Sequence, residues 1–278
     1  MEQSFTTPDP IHLNVEVDRG TVTLDATDAA RDRGETLVSV QGRQADAVEV
    51  TQDDGVVSVT APRPRVGFLS GTEQSVHVHV ELPTGSVAVV RAGSAGTTVT
   101  GALATLAVKS GSGSLTVARL AGQGLVQTGS GDVAIDVVAG ELQVTSGSGD
   151  VSLGLVEAAT TVSTGSGDIR VETLEADLSV KTGSGDLDVV RSRADVAMTT
   201  GSGDTRLRTV HRGRVGVRGA SGDVHLSIPR GVPVWTDVTT ASGGIRSSLS
   251  PVGEPADGQD HVELRMKTSS GDIVLTEL

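Results

Sequence analysis

Aspartates at a fixed interval are the residues of this sequence whose type and spacing could do chemistry. Each closes a turn ending in Ser-Gly-Asp, and successive turns lie 18 residues apart, with 19 residues in the last step. They are Asp132, Asp150, Asp168, Asp186, Asp204 and Asp223. If the turns occupy one corner of successive coils, the carboxylates stack about 4.8 Å apart. At that spacing they repel by about 1 kcal/mol per neighbouring pair even in water.

A structural role is the favoured interpretation of this aspartate ladder. We expect the Gly-Ser-Gly segments to supply backbone positions with positive φ. We also expect the carboxylates to accept hydrogen bonds from exposed turn amides, which would offset the repulsion.

A row of calcium sites is the alternative for the same aspartates, because stacked glycine and aspartate turns bind Ca²⁺ in nonapeptide β-rolls. In that motif a residue separates the last glycine from the aspartate, and the motif recurs every nine residues or so. Here the two residues are adjacent, and only one half of each 18-residue repeat carries the turn. The spacing therefore favours structure over metal, and no cofactor is expected.

A basic cluster in one coil is the second candidate site, for an anionic polymer or an acidic partner. It comprises Arg206, Arg208, His211, Arg212, Arg214 and Arg218. The alternative, which we favour, is that these side chains balance the neighbouring acidic ladder. Outward positions on three successive coils hold Arg170, Asp188 and Arg206, whose alternating signs favour this register. No aromatic residues are interleaved to stack bases, so nucleic acid is not expected as a partner.

Metal and nucleophile chemistry find little support in the remaining residues. His77 and His79 share one face of a predicted strand and could chelate zinc, but the sequence identifies no third or fourth ligand. The turn serines are numerous, and none is singled out beside a histidine and a carboxylate. A carbohydrate-active β-helix enzyme is the alternative function, although aromatic platforms are nearly absent and the coils are short and uniform. No catalytic residue and no metal ligand are predicted.

The residues between the turns predict two strands per coil. Counting each turn aspartate as position 1, apolar residues recur at positions 2 and 4 and again at 11 and 13, which is a period of two. Position 2 holds Leu115, Val133, Val151, Ile169 and Leu187. Position 7 is also apolar until Ser192 interrupts it. Such a repeat is typical of a solenoid, in which each unit buries its apolar face against its neighbours.

The predicted organisation is a β-rich N-terminal cap over residues 1–82, continuous with a solenoid over 83–278. The 18-residue repeats cover 96–204, looser coils cover 205–278, and an acidic loop spans 251–260. Strands in the cap are predicted at 11–17, 21–24, 36–40, 47–51, 55–60 and 76–80, with a loop at 61–72. Residues 272–278 are expected to form the final rung. The fold class is therefore all-β: a single-stranded parallel β-helix of about nine coils, with right-handed winding expected.

Composition agrees with this architecture. Aromatics make up 1% of the 278 residues, so the core must be valine, leucine, isoleucine and alanine. The absence of cysteine excludes disulfides and thiolate chemistry. A formal net charge of −13 argues against general affinity for nucleic acid or anionic membrane. The sequence shows no signal peptide and no membrane span, which predicts a cytoplasmic protein.

Three kinds of motif in this sequence resemble those of a known family. They are the recurrent [Ser/Thr]-Gly-Ser-Gly-Asp turns, the Leu-Pro-Thr-Gly and Ile-Pro-Arg-Gly segments that begin at Leu82 and Ile228, and the closing Ser-Ser-Gly-Asp-Ile-Val-Leu. Together they resemble a bacterial family, the putative-adhesin β-strand-repeat family of uncharacterised function. The resemblance implies a parallel β-helix and no catalytic residue. We therefore predict a non-catalytic structural or interaction protein, presenting a repeated acidic surface to an unknown protein or envelope polymer, or associating with itself through the solenoid ends.

Overall fold

A computed structural model describes residues 1–62, 75–250, 253 and 258–278. Most of the loop predicted at 61–72, and much of the one at 251–260, lies outside the described residues. The chain divides into two compact units, Met1–Glu141 and Leu142–Leu278, here called unit 1 and unit 2. Both consist almost entirely of β-strands, so the all-β prediction is confirmed.

Unit 1 contains thirteen strands and one short helix within its described residues. The strands are β1 (Glu2–Thr6), β2 (His12–Val17), β3 (Gly20–Thr27), β4 (Glu35–Gln41), β5 (Glu49–Asp53), β6 (Val56–Thr60), β7 (Val76–Pro83), β8 (Val87–Ala92), β9 (Gly96–Gly101), β10 (Thr105–Ser110), β11 (Leu115–Leu120), β12 (Gln123–Thr128) and β13 (Val133–Val138). The helix is α1 (Asp28–Arg33), and a 3-10 turn covers Ala45–Ala47. All six strands predicted within 1–82 are present, although the one predicted at 47–51 begins and ends two residues later, after the 3-10 turn.

Two sheets make up unit 1. Sheet A1 has the order β1-β4-β7-β3-β9-β11-β13, and sheet B1 has the order β5-β6-β2-β8-β10-β12. From β8 onward the chain alternates between the sheets, and each strand pairs in parallel with the strand two places later. The outermost strands β1, β4 and β5 pair antiparallel instead. The rung formed by β2 in sheet B1 and β3 in sheet A1 lies inside the rung formed by β6 and β7, so rung order differs from chain order.

Helix α1 was not predicted, although local sequence explains it. The Thr27 hydroxyl accepts a hydrogen bond from the Ala30 N–H at 3.1 Å, which caps the first turn. Gly34 ends the helix with φ of 61°, a left-handed conformation that favours glycine. With six residues between two caps, the helix interrupts the β-rich segment only briefly.

Unit 2 contains fourteen strands within its described residues, and every pairing among them is parallel. They are β14 (Leu142–Ser146), β15 (Val151–Val156), β16 (Thr160–Thr164), β17 (Ile169–Leu174), β18 (Leu178–Thr182), β19 (Leu187–Ser192), β20 (Val196–Thr200), β21 (Thr205–Leu207), β22 (Gly213–Gly219), β23 (Val224–Ile228), β24 (Val234–Thr240), β25 (Ile245–Ser247), β26 (Val262–Thr268) and β27 (Ile273–Glu277). Sheet A2 has the order β15-β17-β19-β21-β23-β27-β25, and sheet B2 the order β14-β16-β18-β20-β22-β26-β24.

The final rung of unit 2 is not the one predicted at 272–278. Strands β26 and β27 insert between the rung of β22 and β23 and the rung of β24 and β25, so β24 and β25 are outermost. The side chains explain the order. The inward residues of β26, Val262, Leu264 and Met266, are fully buried, whereas Thr236 at the equivalent position of β24 is exposed. The more apolar rung thus lies inside.

The predicted inward columns form the core of each unit. Leu115 and Val133 in unit 1 are buried, as are Val151, Ile169 and Leu187 in unit 2. Ser192, which breaks the apolar column at position 7, is also buried, because its hydroxyl donates to the carbonyl of Ala194 at 3.2 Å. The alternation of small branched side chains therefore builds both cores with almost no aromatic residue.

Candidate functional site

Each regular turn begins with a buried threonine or serine, whose hydroxyl holds the turn, whereas the irregular turn ending at Asp223 begins with Gly219. The Thr182 Oγ1 accepts a hydrogen bond from the Gly185 N–H at 2.8 Å, and Thr164 and Thr200 repeat the contact with Gly167 and Gly203. The hydroxyl lies inside the fold, and the serine at the tip of the turn is exposed. A threonine or serine three residues before the second glycine is therefore a local cap for the turn.

The turn glycines are required for close approach, and the expectation of positive φ was wrong for most of them. The glycines at 165, 167, 183 and 185 do not have φ in the left-handed region, whereas Gly222 of the irregular turn does. A Cβ added to Gly185 would lie 1.9 Å from the carbonyl oxygen of Gly167 one coil away, and one on Gly203 would lie 1.9 Å from that of Gly185. The missing side chain allows neighbouring turns to touch through their backbones.

The aspartate ladder is ordered by hydrogen bonds between coils. The N–H of Asp168 donates to the Oδ1 of Asp150 at 2.9 Å, that of Asp186 to Asp168 at 2.9 Å, and that of Asp204 to Asp186 at 2.8 Å. Asp223 continues the series on Asp204 at 2.7 Å. The donors are amides of the turns, and each comes from the next coil. Each hydrogen bond therefore stabilises the charge of one carboxylate and fixes the register of two neighbouring coils.

The ladder extends beyond the six predicted residues. The Asp272 N–H donates to the Oδ1 of Asp223 at 2.8 Å, and the Gly244 N–H donates to that of Asp272 at 2.7 Å. Chain order hid these members, because the rung holding Asp272 is inserted before the one holding Gly244. Asp132 closes the equivalent turn in unit 1, where its side chain is exposed.

The ladder offers a row of carboxylates and no cluster of metal ligands. Within the described residues, no group of three or more histidine, cysteine, aspartate or glutamate side chains could hold a metal ion. One oxygen of each bonded carboxylate accepts a backbone N–H, and the side chains of Asp150, Asp168 and Asp186 remain exposed. The geometry suits contact with repeated cationic groups.

The predicted basic cluster is divided between two faces of unit 2. Arg206 and Arg208 extend from the β21 region of sheet A2, and Arg214 and Arg218 belong to β22 of sheet B2. Arg212 and His211 lie in the connection between them. One coil turns a corner here, so closeness in sequence does not become one patch in space.

Most of these arginines are paired with carboxylates outside the ladder. Arg208 forms a two-pronged ion pair with Asp188, which Arg170 also contacts at 3.1 Å. The hydrogen bond from Arg208 holds the pKa of Asp188 below its ordinary value of 3.8. Arg214 donates to Glu263 at 2.8 Å. Arg212 lies 3.7 Å from Asp260 and donates to the carbonyl of Arg193. The balancing carboxylates therefore lie on neighbouring coils and outside the ladder.

The two histidines each contact a neighbouring strand. The Nδ1 of His77 lies 2.9 Å from the Thr21 hydroxyl, and the Nε2 of His79 lies 2.7 Å from Asp25. Burial opposes ionisation of Asp25, but hydrogen bonds from Thr100 and His79 outweigh it and lower the pKa of that carboxyl. Each imidazole therefore has a different partner, and the pair does not converge on one point.

A pocket of about 620 Å³ in unit 1 brings two carboxylates together. Glu16 and Asp18 line it beside Arg91 and Lys109. The carboxylates stand two residues apart at the end of β2 and share one wall. Glycoside hydrolysis requires an acid and a second carboxylate on opposite sides of the scissile bond, so this arrangement does not supply that pair.

No helix among the described residues is both long and apolar enough to cross a bilayer. The family model Toastrack DUF4097 matches residues 11–276. No curated protein matches the chain.

Several solved structures are similar to this chain at low sequence identity. A putative adhesin from Bacteroides fragilis is 10% identical with a TM-score of 0.38, covering 99% of this chain and 96% of its own. A putative adhesin from Parabacteroides merdae is 12% identical with a TM-score of 0.43, covering 81% of this chain and 95% of its own. A putative lipid binding protein from Parabacteroides distasonis is 13% identical with a TM-score of 0.39, covering 100% and 96%.

Proposed function

We propose that this chain, which belongs to the Toastrack DUF4097 family, is a non-catalytic interaction protein. Its β-solenoid would present a repeated acidic surface to a protein or an envelope polymer, or assemble with further copies through its ends. A right-handed winding, about nine coils, a cap formed by residues 1–82 and a cytoplasmic location are parts of the same proposal. Cell fractionation tests the location.

One observation carries the proposal: the carboxylates of unit 2 are held in single file by backbone donors. The N–H groups of Asp168, Asp186 and Asp204 each fix the carboxylate one coil before them at 2.8–2.9 Å. A row of fixed charges spaced by about 4.8 Å binds a partner with less ordering of its own side chains, because the carboxylates are already in place. Complementary charge would set partner choice and association rate.

Charge removal that keeps the hydrogen bonds tests this role. In the triple variant Asp168→Asn, Asp186→Asn and Asp204→Asn, the amide oxygens can still accept the backbone N–H groups. We expect poly-lysine to bind the wild-type protein with strong salt dependence and the variant markedly less.

The control removes equal charge from exposed positions in unit 1, as Asp32→Asn, Asp46→Asn and Asp54→Asn. Equal binding by the ladder variant and this control would refute a specific role for the ladder. A partner captured from the host envelope by the wild-type protein should likewise be lost with the ladder variant only.

Self-assembly is tested separately by sedimentation across a concentration series. Growth to large species would support association through the ends, since the outer edges of β24 and β25 pair with no strand of the described residues. A constant sedimentation coefficient would remove self-assembly from the proposal and leave partner binding.

A further inference from the structure

The outer face of sheet B2 carries a column of cations and hydroxyls that we call the basic stripe. Strand register aligns Lys181, Thr199, Arg218, Lys267 and Thr239 on five neighbouring strands, β18, β20, β22, β26 and β24. All five side chains are exposed. Arg218 and Lys267 lie directly opposite each other, about 4.8 Å apart along the stack.

The cations of the basic stripe are not neutralised within the described part of the chain. Elsewhere in unit 2, Arg170, Arg193, Arg208, Arg214 and Arg265 each form an ion pair with a carboxylate. Lys181, Arg218 and Lys267 form none there. Like charges directly opposite on adjacent strands are destabilising. Repulsion within the stripe therefore destabilises the fold, and we infer that the stripe has a role in binding.

The carboxylates on one side of the stripe limit what can lie on it. Asp177, Asp195 and Glu263 lie four residues before Lys181, Thr199 and Lys267, about 13 Å away on the same outer face. A broad anionic surface such as a bilayer would meet these carboxylates as well as the cations. A single extended chain lying along the stripe would avoid them. The stripe itself contains no aromatic side chain on which a base could stack.

We propose that the basic stripe binds a linear polymer of phosphates. The Arg218 guanidinium can bind a phosphate through two parallel N–H donors, and the lysines supply point charges on either side of it. The hydroxyls of Thr199 and Thr239 complete a row of donors for the intervening oxygens. This inference does not rest on the acidic ladder, and it differs from the sequence-predicted cluster, with which it shares only Arg218.

Binding of long-chain inorganic polyphosphate tests the inference. The double variant Arg218→Gln and Lys267→Gln should weaken binding about tenfold, and should flatten the dependence of log K on log salt by roughly 1.5, the release expected for two lost phosphate contacts. The matched control, Arg206→Gln and Arg208→Gln, makes the same charge change on sheet A2 and should bind within about twofold of the wild-type protein.

Several outcomes would overturn the inference. Equal weakening by the two double variants would show a response to net charge alone. Tighter binding to phosphatidylglycerol vesicles, or equal binding of oligo-thymidylate through the stripe, would assign the surface to a membrane or to nucleic acid. A lower denaturation midpoint for Arg218→Gln and Lys267→Gln would make the stripe structural. We expect that midpoint to be unchanged or higher, because repulsion is removed.

Discussion

Replacing Gly185 with alanine is expected to destabilise unit 2 by several kcal/mol. The added Cβ would lie 1.9 Å from the carbonyl oxygen of Gly167, whereas ordinary contact begins near 3.4 Å. The two turns must therefore separate by about 1.5 Å, roughly a third of the strand spacing. That movement strains the hydrogen bonds that join the two turns, from the Ser184 N–H to the Gly165 carbonyl and from the Asp186 N–H to Asp168.

The magnitude follows from two contributions. Forcing a methyl group into a packed site costs about 1–3 kcal/mol. Each of the two weakened hydrogen bonds costs about 0.5–1.5 kcal/mol, so the expected loss is about 2–6 kcal/mol in total. Alanine also restricts the unfolded chain, which returns at most about 1 kcal/mol. The sign is therefore decided by the clash.

Two measurements test this loss of stability. They are denaturant unfolding followed by circular dichroism, and hydrogen exchange of the peptide spanning residues 164–187. Exchange is needed because a repeat array can lose structure locally. The control is Gly96→Ala, since a Cβ there would meet its nearest atom, the Ser114 carbonyl oxygen, at 3.9 Å and φ is not in the left-handed region. This control should be neutral or slightly stabilising. A Gly185→Ala protein within about 0.5 kcal/mol of wild type would refute the close-approach explanation of the turn glycines.

Three further predictions concern charge. Asp186→Asn should leave the denaturation midpoint unchanged or raised, because the amide oxygen still accepts the Asp204 N–H and one like charge is gone. Asp186→Ala removes the acceptor and should cost about 1 kcal/mol of stability. Equal midpoints for the two variants would show that this hydrogen bond does not stabilise the fold. Because the pKa of Asp188 is lowered in the folded protein, its ionised carboxylate stabilises the fold above pH 3.8, and this stabilisation is lost as the pH falls through the folded-state pKa. The unfolding midpoints of wild type and Asp188→Asn should therefore converge between pH 7 and pH 2. A difference between the two midpoints that stays constant with pH would contradict the pairing with Arg208. Added Ca²⁺ or EGTA should not move the thermal melt, and a rise with Ca²⁺ would revive the calcium alternative.

Periodicity made the strands predictable, because inward valines and leucines at two-residue intervals leave few other ways to bury them. The same columns predicted which residues stack, including the aspartates of unit 2. Contacts between coils were harder to foresee. Sequence spacing does not give the distances between atoms of neighbouring coils. It therefore could not show that the amide of Asp186 donates to Asp168, or that Gly185 touches the carbonyl of Gly167.

The arginine pairs and the rung order show a different limit. Arg208 and Arg214 are six residues apart, yet a corner sends them to separate sheets, where their partners are Asp188 and Glu263. Glu263 becomes available only because β26 is inserted beside β22. Arginines that are neighbours in sequence were therefore predicted to form one cluster, and Lys267, which lies beside Arg218 in the folded sheet, was not included in it.

The inserted rung also has a consequence for how the protein is made. Strands β24 and β25 leave the ribosome before β26 and β27, yet they can take their final places only after the later pair has entered between them and β22 and β23. Until β26 has been synthesised, the open edge of β22 is available to the wrong strand. Completion of this end therefore waits for β26 and β27, and a truncation after β25 would remove an interior layer instead of shortening the stack.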